Sequence, residues 1–440
     1  MSLLVSHMRS DPRGAETSVV VSVILACFVS SGLLGVFPFL ASAVLGICAC
    51  LACGLLLMGA RLPAAGGFIL LYYLYAAISA ILFGGGKSLS FATLVDWFQG
   101  EGRIFLTFWP ALLVMVSFER RPDLVQRLDT LFVVLSVFMI GTIVLRIGWD
   151  LRLFSSHHGA GSLAASIFLY LLFATRHRPT ATLIIGLACA SLALLGSGSR
   201  TAVLACAIGV GIALALMRDW RAVGFVSVLG AGLALIMPVL FEHHYDRLLR
   251  AGATQTYVSM ATNFYVASHS KPPAESQTAF SVRDIATTEG NANLAIRGFL
   301  WGRAWGEFTA SPLFGIGFGR YNDGARQFTE LAPGVRPVVD ARFNNPTQHT
   351  AHNSALHILA ELGLLGLFLL GAAAKHVWTT AMRARRAARD TETLFWADLG
   401  LATWMFLLAS SVTQHALGAP IFGLSALVLL FASYAVLEFS

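Results

Sequence analysis

No charged residue occurs between Thr17 and Ala60. A helical bilayer crossing needs roughly 17–25 consecutive, mostly apolar residues, so this run is long enough for two crossings with a turn near Gly35–Pro38. The rest of the chain repeats the pattern. Further stretches free of charge, or nearly so, fall at about 63–84, 104–118, 129–147, 160–175, 180–196, 201–217, 222–241, 353–374, 393–413 and 417–437, which makes twelve expected spans. The run 104–118 is short, so the fourth span is the one expected to be partly interfacial. Only 12% of the 440 residues are charged, against about 25% in soluble proteins. That excludes a water-soluble globular enzyme and points to an all-α integral membrane protein.

The side on which Lys and Arg collect sets the orientation of such a chain. With the N-terminus inside, the inner loops hold Arg9, Arg13, Arg61, Arg120, Arg121, Arg127, Arg176, Arg178, Arg218, Arg221, Lys375, Arg383, Arg385, Arg386 and Arg389. The short outer loops hold only Lys87, Arg103, Arg146, Arg152 and Arg200. Twelve spans with both termini cytoplasmic fit this distribution. Arg9 and Arg13 ahead of an apolar run resemble a cleaved signal peptide. The run leads straight into a second crossing, so an uncleaved signal-anchor is expected, and no lipidation motif occurs.

Residues 242–351 break the pattern, with ten Lys/Arg and nine Asp/Glu on the outer side. A connection of this length is usually functional or a small domain. The expected organisation is therefore spans 1–9 over 1–241, a large outer loop over 242–351, and spans 10–12 over 352–440. Within the loop, Ala253–Asn293 is polar, Leu294–Phe308 has helix-like alternation, and a turn-rich SPLFGIGFGRYNDG follows. All six cysteines lie in expected spans. Cys48, Cys50 and Cys53 match no standard zinc spacing, so they are read as packing residues with no disulfide. The formal charge of +7 does not indicate nucleic acid: 27 of the 30 basic residues are Arg, scattered among apolar runs without a basic–aromatic cluster.

Three groups of polar residues need a reason. His352 opens HNSALHILAELGLLG at the outer end of the tenth span. On a continuous helix Gly363 and Gly366 lie about 20° and −40° from it, a face on which small residues permit close packing. Glu361 falls instead near His357, where the two can pair. A helix N-terminus disfavours imidazolium, which keeps His352 a neutral base near pH 7; read alone, it is equally an interfacial polar residue. Arg200, in GSGSRTAVLA, starts the eighth span, where free N–H groups and a guanidinium form an anion site; the alternative is snorkelling to the headgroups. Arg297 and Arg303 flank Trp301 and Trp305, as an anion site or a solvated face. Together, outer arginines and an outer histidine suggest chemistry on a phosphate-bearing substrate.

His352, Asn353, Gly363 and Gly366 reproduce a His-Asn, nine residues, Gly, two residues, Gly pattern. This resembles the signature of the bacterial O-antigen ligase and polymerase superfamily, which also contains O-linked protein oligosaccharyltransferases. GSRTA around Arg200 and the run from Arg297 to Tyr321 support the resemblance, which covers roughly 150–370 by motif and the whole chain by topology. It implies a C-type glycosyltransferase of about twelve transmembrane helices with a large periplasmic loop between helices 9 and 10. By that resemblance the donor is a polysaccharide on undecaprenyl diphosphate. The acceptor of a ligase is a sugar hydroxyl of lipid A–core, and neither metal nor nucleotide cofactor is needed. Arg200 and Arg297 would bind the diphosphate and His352 would activate the hydroxyl. Arg303, Arg320, Tyr321 and Asn353 are supporting candidates, and His157 and His158 either line the site or lie at the interface. No Asp-x-Asp triplet occurs in the outer segments.

The expected function is O-antigen ligase in lipopolysaccharide biosynthesis, in the bacterial inner membrane with the site facing the periplasm. The partners are donor, acceptor and membrane lipids, and no nucleic acid. O-antigen polymerase or protein oligosaccharyltransferase is the alternative with the same donor. A transporter of anionic lipid or glycan is the rival of a different class.

Overall fold

The computed structural model describes residues 38–83, 108–117, 122–149, 157–220, 224, 289–321, 351–414, 416–417 and 420–438. Among them are eleven helices: α1 Pro38–Leu57, α2 Ala64–Phe83, α3 Trp109–Ser117, α4 Pro122–Trp149, α5 His157–His177, α6 Ala181–Gly196, α7 Arg200–Leu216, α8 Glu289–Ala310, α9 Ser354–Ala387, α10 Thr391–Thr413 and α11 Pro420–Glu438. Five of these, α2, α4, α5, α9 and α10, contain stretches long and apolar enough to cross a membrane, and four shorter apolar helices accompany them. The bundle exposes Leu71, Leu74, Ile78, Ile81 and Leu82 on α2, Val134, Val137 and Phe138 on α4, and Leu204, Ile208 and Ile212 on α7. Apolar bands this extensive do not face water on a soluble monomer. The chain is a multi-pass helical membrane protein.

The centre of the bundle is α5. It packs against α4, α6, α7, α10 and α11, and 78% of its span is buried against 33% for the peripheral α4. The directions of the helices follow from side-chain contacts. At the start of α5, Gly161 lies so close to Ser199 and Ala202 that a β-carbon would clash with both, so α5 and α7 begin at the same end. At its other end His177 meets Asp398, in the second turn of α10, so α10 runs the opposite way. The starts of α5 and α7 therefore share one face of the bundle with the end of α10. Asn353 and Ser354 bond Val412 O and Gln414 O there, which adds the start of α9.

Serine, threonine, aspartate and asparagine caps begin the helices that matter most for this layout. Thr180, Ser199, Asn353 and Asp390 each accept a backbone N–H two or three residues into the helix that follows. Such caps are worth about 1 kcal/mol each. The last turns of α5 and α9 carry Arg176 and His177, and Arg385 and Arg386, the charge that a helix C-terminus favours.

The structure corrects the sequence expectation in two places, at the end of α9 and at Gly363. α3 has nine described residues, roughly 13 Å at 1.5 Å per residue. It is buried from Pro110 to Met115 and is the described part of the fourth expected span, whose residues 104–107 and 118 lie outside the described residues. α9 continues through Ala387 where an inner loop from Lys375 onward was expected, because the segment is Ala- and Arg-rich, both strong helix formers. Part of the large loop is a 22-residue helix, α8, which contains the helix-like stretch Leu294–Phe308 and packs on α9. The first and ninth expected crossings, and the loop outside 289–321, lie outside the described residues.

The second correction is at Gly363, which was expected to be helical and to share a packing face with His352. Its φ of 61° and ψ of −160° break α9, so helical phase does not carry from His352 to Gly366 and the shared-face argument fails. The segment 311–321 inserts into the break. Leu364 and Leu365 N–H donate to Pro312 O and Leu313 O at 2.8 and 3.2 Å, while Ile316 and Gly317 N–H donate to Ala360 O and Glu361 O at 2.9 and 3.0 Å. The two helix bonds lost at the break are thus replaced by four to the loop. The Tyr75 hydroxyl lies 2.9 Å from Phe314 O and 3.1 Å from Leu362 O. Non-helical backbone at membrane depth is tolerated only when protein satisfies it in this way. A β-carbon on Gly363 would sit 2.5 Å from Leu313 backbone, and one on Gly315 (φ 71°) would clash with Glu361 backbone. Glycine is required on both sides of the joint.

Candidate functional site

At the shared end of the bundle the chain enters α9 through a strained residue. His352 has φ 48°, an uncommon value for a residue with a β-carbon, and such conformations cost about 1–3 kcal/mol unless the surroundings enforce them. The enforcing contacts are at hand. Asn353 accepts Leu356 N–H at 3.0 Å and donates to Val412 O at 3.2 Å. Ser354 donates to Gln414 O at 3.3 Å and accepts Leu417 N–H at 3.2 Å. Asn353 is thus a helix cap and a clamp on the end of α10.

The His352 imidazole is partly buried, and its pKa is pushed down to about 4. Loss of hydration is the largest cause and the Arg297 charge the next, with the polar Gln414 side chain working against both. The ring is therefore neutral at pH 7, as expected, but burial and Arg297 are the causes in place of the helix dipole. Arg297 is itself partly buried, with burial lowering its pKa; a guanidinium nevertheless stays charged. No carboxylate among the described residues pairs with it. One turn further along α8, Trp301 Nε1 is buried without a hydrogen-bond partner. Among the described residues, a cation without an anion and a donor without an acceptor thus share one helix face.

Arg303 is differently placed. Its guanidinium bonds Glu307 at 2.8 Å and lies over the Tyr321 ring at 5.0 Å. Burial pushes the Glu307 carboxyl upward and the charges of Arg303 and Arg320 pull it back. Arg303 therefore holds α8 to the loop. Arg320 is exposed near Glu307. Tyr321 is buried, with its hydroxyl on Leu300 O at 2.9 Å; burial is what raises its pKa. Arg200 opens α7 behind the Ser199 cap, at the same end of the bundle as His352; its side chain and that of His157 lie outside the described residues. His158 Nδ1 is 3.4 Å from Ser199 Oγ, which puts it beside the start of α7.

The structure thus brings Arg297 to His352, sets the start of α7 at the same end, and assigns Asn353, Arg303 and Tyr321 to the framework. Sequence reasoning missed Gln414, which has no motif around it. It also missed the loop insertion, although glycines at 315, 317 and 319, all at positive φ, are the spacing that close backbone approach produces. Among the described residues no group of three or more His, Cys, Asp or Glu is placed to hold a metal ion.

Residues 185–371 match the family model described as O-antigen ligase. The match supports the O-antigen ligase superfamily for that segment. It runs from α6 to just past the break in α9 and includes Arg200, Arg297, the inserted loop and His352; His157 and His158 precede it. No curated protein gives a significant match to the chain. The superfamily implies a glycosyltransferase-like enzyme using a lipid-linked polysaccharide and a lipid acceptor.

Proposed function

We propose that this protein is an O-antigen ligase of the bacterial inner membrane. It moves polysaccharide from undecaprenyl diphosphate to a hydroxyl of lipid A–core at the periplasmic face. The observation that carries the reading is a neutral, partly buried His352 within electrostatic reach of Arg297, which has no carboxylate partner among the described residues. One group is suited to accept a proton and the other to hold an anion. Arg297 and Arg200 bind the diphosphate, the latter aided by the free N–H groups at the start of α7. The opposite end of the bundle carries Arg176, Arg178, Arg385 and Arg386, which supports placing that end in the cytoplasm.

The acceptor oxygen attacks the anomeric carbon as the bond from that carbon to the diphosphate oxygen breaks. The hydroxyl proton passes to the His352 imidazole, and undecaprenyl diphosphate leaves with the electron pair. Attack opposite the leaving group inverts the anomeric centre. Guanidinium groups stabilise the charge developing on the diphosphate, so the reaction is proposed to need neither metal nor nucleotide. A base of pKa about 4 is a weak one at pH 7. Diphosphate bound at Arg297 offsets the positive charge that helps depress it, so donor binding strengthens the base.

The test is reconstitution of the purified chain with undecaprenyl-diphosphate glycan and lipid A–core in the presence of a chelator. Glycan on lipid A–core supports the ligase. Longer lipid-linked glycan would make the protein a polymerase, and absence of any product would point to transport.

A further inference from the structure

Behind His352 lies a buried polar cluster that the proposed reaction does not use. His357, Glu361 and Tyr321 are 8%, 3% and 0% exposed. His357 Nε2 stands 3.5 Å from Glu361 Oε2, and its Nδ1 accepts Ala351 N–H at 3.5 Å. An accepting Nδ1 puts the ring proton on Nε2, toward the carboxylate. Glu361 Oε1 accepts Tyr321 N–H at 3.3 Å, and the Tyr321 ring meets His357 edge-on at 5.0 Å. The Tyr321 hydroxyl then bonds Leu300 O at 2.9 Å, three residues after Arg297. A continuous series of contacts joins the residue before His352 to the helix that carries Arg297.

Packing alone does not ask for this chemistry. A buried carboxylate and imidazole are costly to desolvate, and apolar residues of similar volume are often as stabilising. What apolar residues cannot supply is a fixed acceptor for Ala351 N–H, next to a residue whose φ of 48° needs enforcing.

We propose that His357, oriented by Glu361, is a positioning residue that holds the Ala351–His352 backbone in its strained conformation and, through Tyr321, keeps the base in register with Arg297. The inference rests on His352 being the base.

It is tested on the full chain in the reconstituted transfer assay with His357→Asn, His357→Gln and Glu361→Gln, alongside His352→Ala. Asparagine replaces the Nδ1 acceptor and is expected to keep most of kcat. Glutamine reaches the Nε2 place, leaves Ala351 N–H without its acceptor, and is expected to lose kcat by up to about 100-fold, the scale of a 1 Å misplacement, at unchanged donor KM. The acid limb of its kcat profile moves up toward the ordinary imidazole value as His352 loosens into water. Glu361→Gln is expected to fall between the two. Equal losses in the Asn and Gln variants with an unmoved acid limb, or wild-type kcat in both, would overturn the proposal. The control separates the two levels: transfer by His352→Ala removes the base itself, whatever His357 does.

Discussion

The two ends of the bundle use the same residue types to opposite purpose. At the end assigned to the cytoplasm, Arg176 pairs Asp219 at 2.7 Å, Arg178 pairs Asp129 at 3.0 Å, and buried Asp398 takes both Arg385 at 2.7 Å and His177 at 3.0 Å. At the other end, Arg297 has no carboxylate among the described residues and His352 faces it. Paired, these groups fasten helices; Arg297, with no carboxylate among the described residues, is suited to hold an anion. The pairing, more than the residue type, separates a structural arginine from a binding one. It also answers the transporter reading in part, since Asp398 is engaged as a fastening near one end of the bundle and Glu361 is held by His357.

Several substitutions bear on that contrast. Arg297→Ala is expected to have the largest effect, about 10²–10³-fold in transfer. Lysine would restore little, because it lacks the planar fork that matches phosphate. The same variant tests the electrostatics. His352 of the free protein is held down to about 4, so kcat/KM for the donor, which reports the free enzyme, should fall as pH drops through that value and level off above it. Removing the Arg297 charge raises the folded-state pKa, so the acid limb of residual activity should move to higher pH. A limb that stays in place or moves lower would deny the coupling.

Gly363→Ala should come next, since a β-carbon meets Leu313 backbone at 2.5 Å at a φ of 61°. Loosening of the joint should appear as a lower thermal midpoint and faster proteolysis within 311–321; a midpoint equal to wild type would show that the break is adaptable. Trp301→Phe removes only the indole N–H and should raise donor KM about tenfold, one hydrogen bond to a charged group being worth about 1.5–3 kcal/mol; an unchanged KM would take Trp301 out of the donor site. At the fastened end, Asp398→Asn should lower stability, by up to about 3–5 kcal/mol for a fully buried pair and less here because Arg385 is 28% exposed. Transfer per folded molecule should be unchanged. A selective loss of transfer would break the division between the two ends.

The membrane class was legible in the sequence, and His352, Arg200 and Arg297 stood out there as candidates, because charge is costly in lipid and its placement is informative. Less legible were features created by long-range contact. Gly363 and Gly366 look like a packing stripe until segment 311–321 is seen to enter the helix between residues 360 and 365. Asn353 and Arg303 are polar residues near a site, and only their partners Val412 and Glu307 show them to be framework. Gln414 acts on the charge of His352 from the end of another helix, with no local spacing to announce it.

The central claim is that a neutral histidine, beside an arginine with no acidic partner among the described residues, drives transfer from a lipid diphosphate. Its most direct test compares wild type with His352→Ala in liposomes holding undecaprenyl-diphosphate glycan and lipid A–core, with chelator present and equal protein inserted. The account predicts glycan on the acceptor with wild type and a loss of at least about 100-fold with the variant, the low end for general acid–base catalysis. Transfer by the variant at the wild-type rate would contradict it.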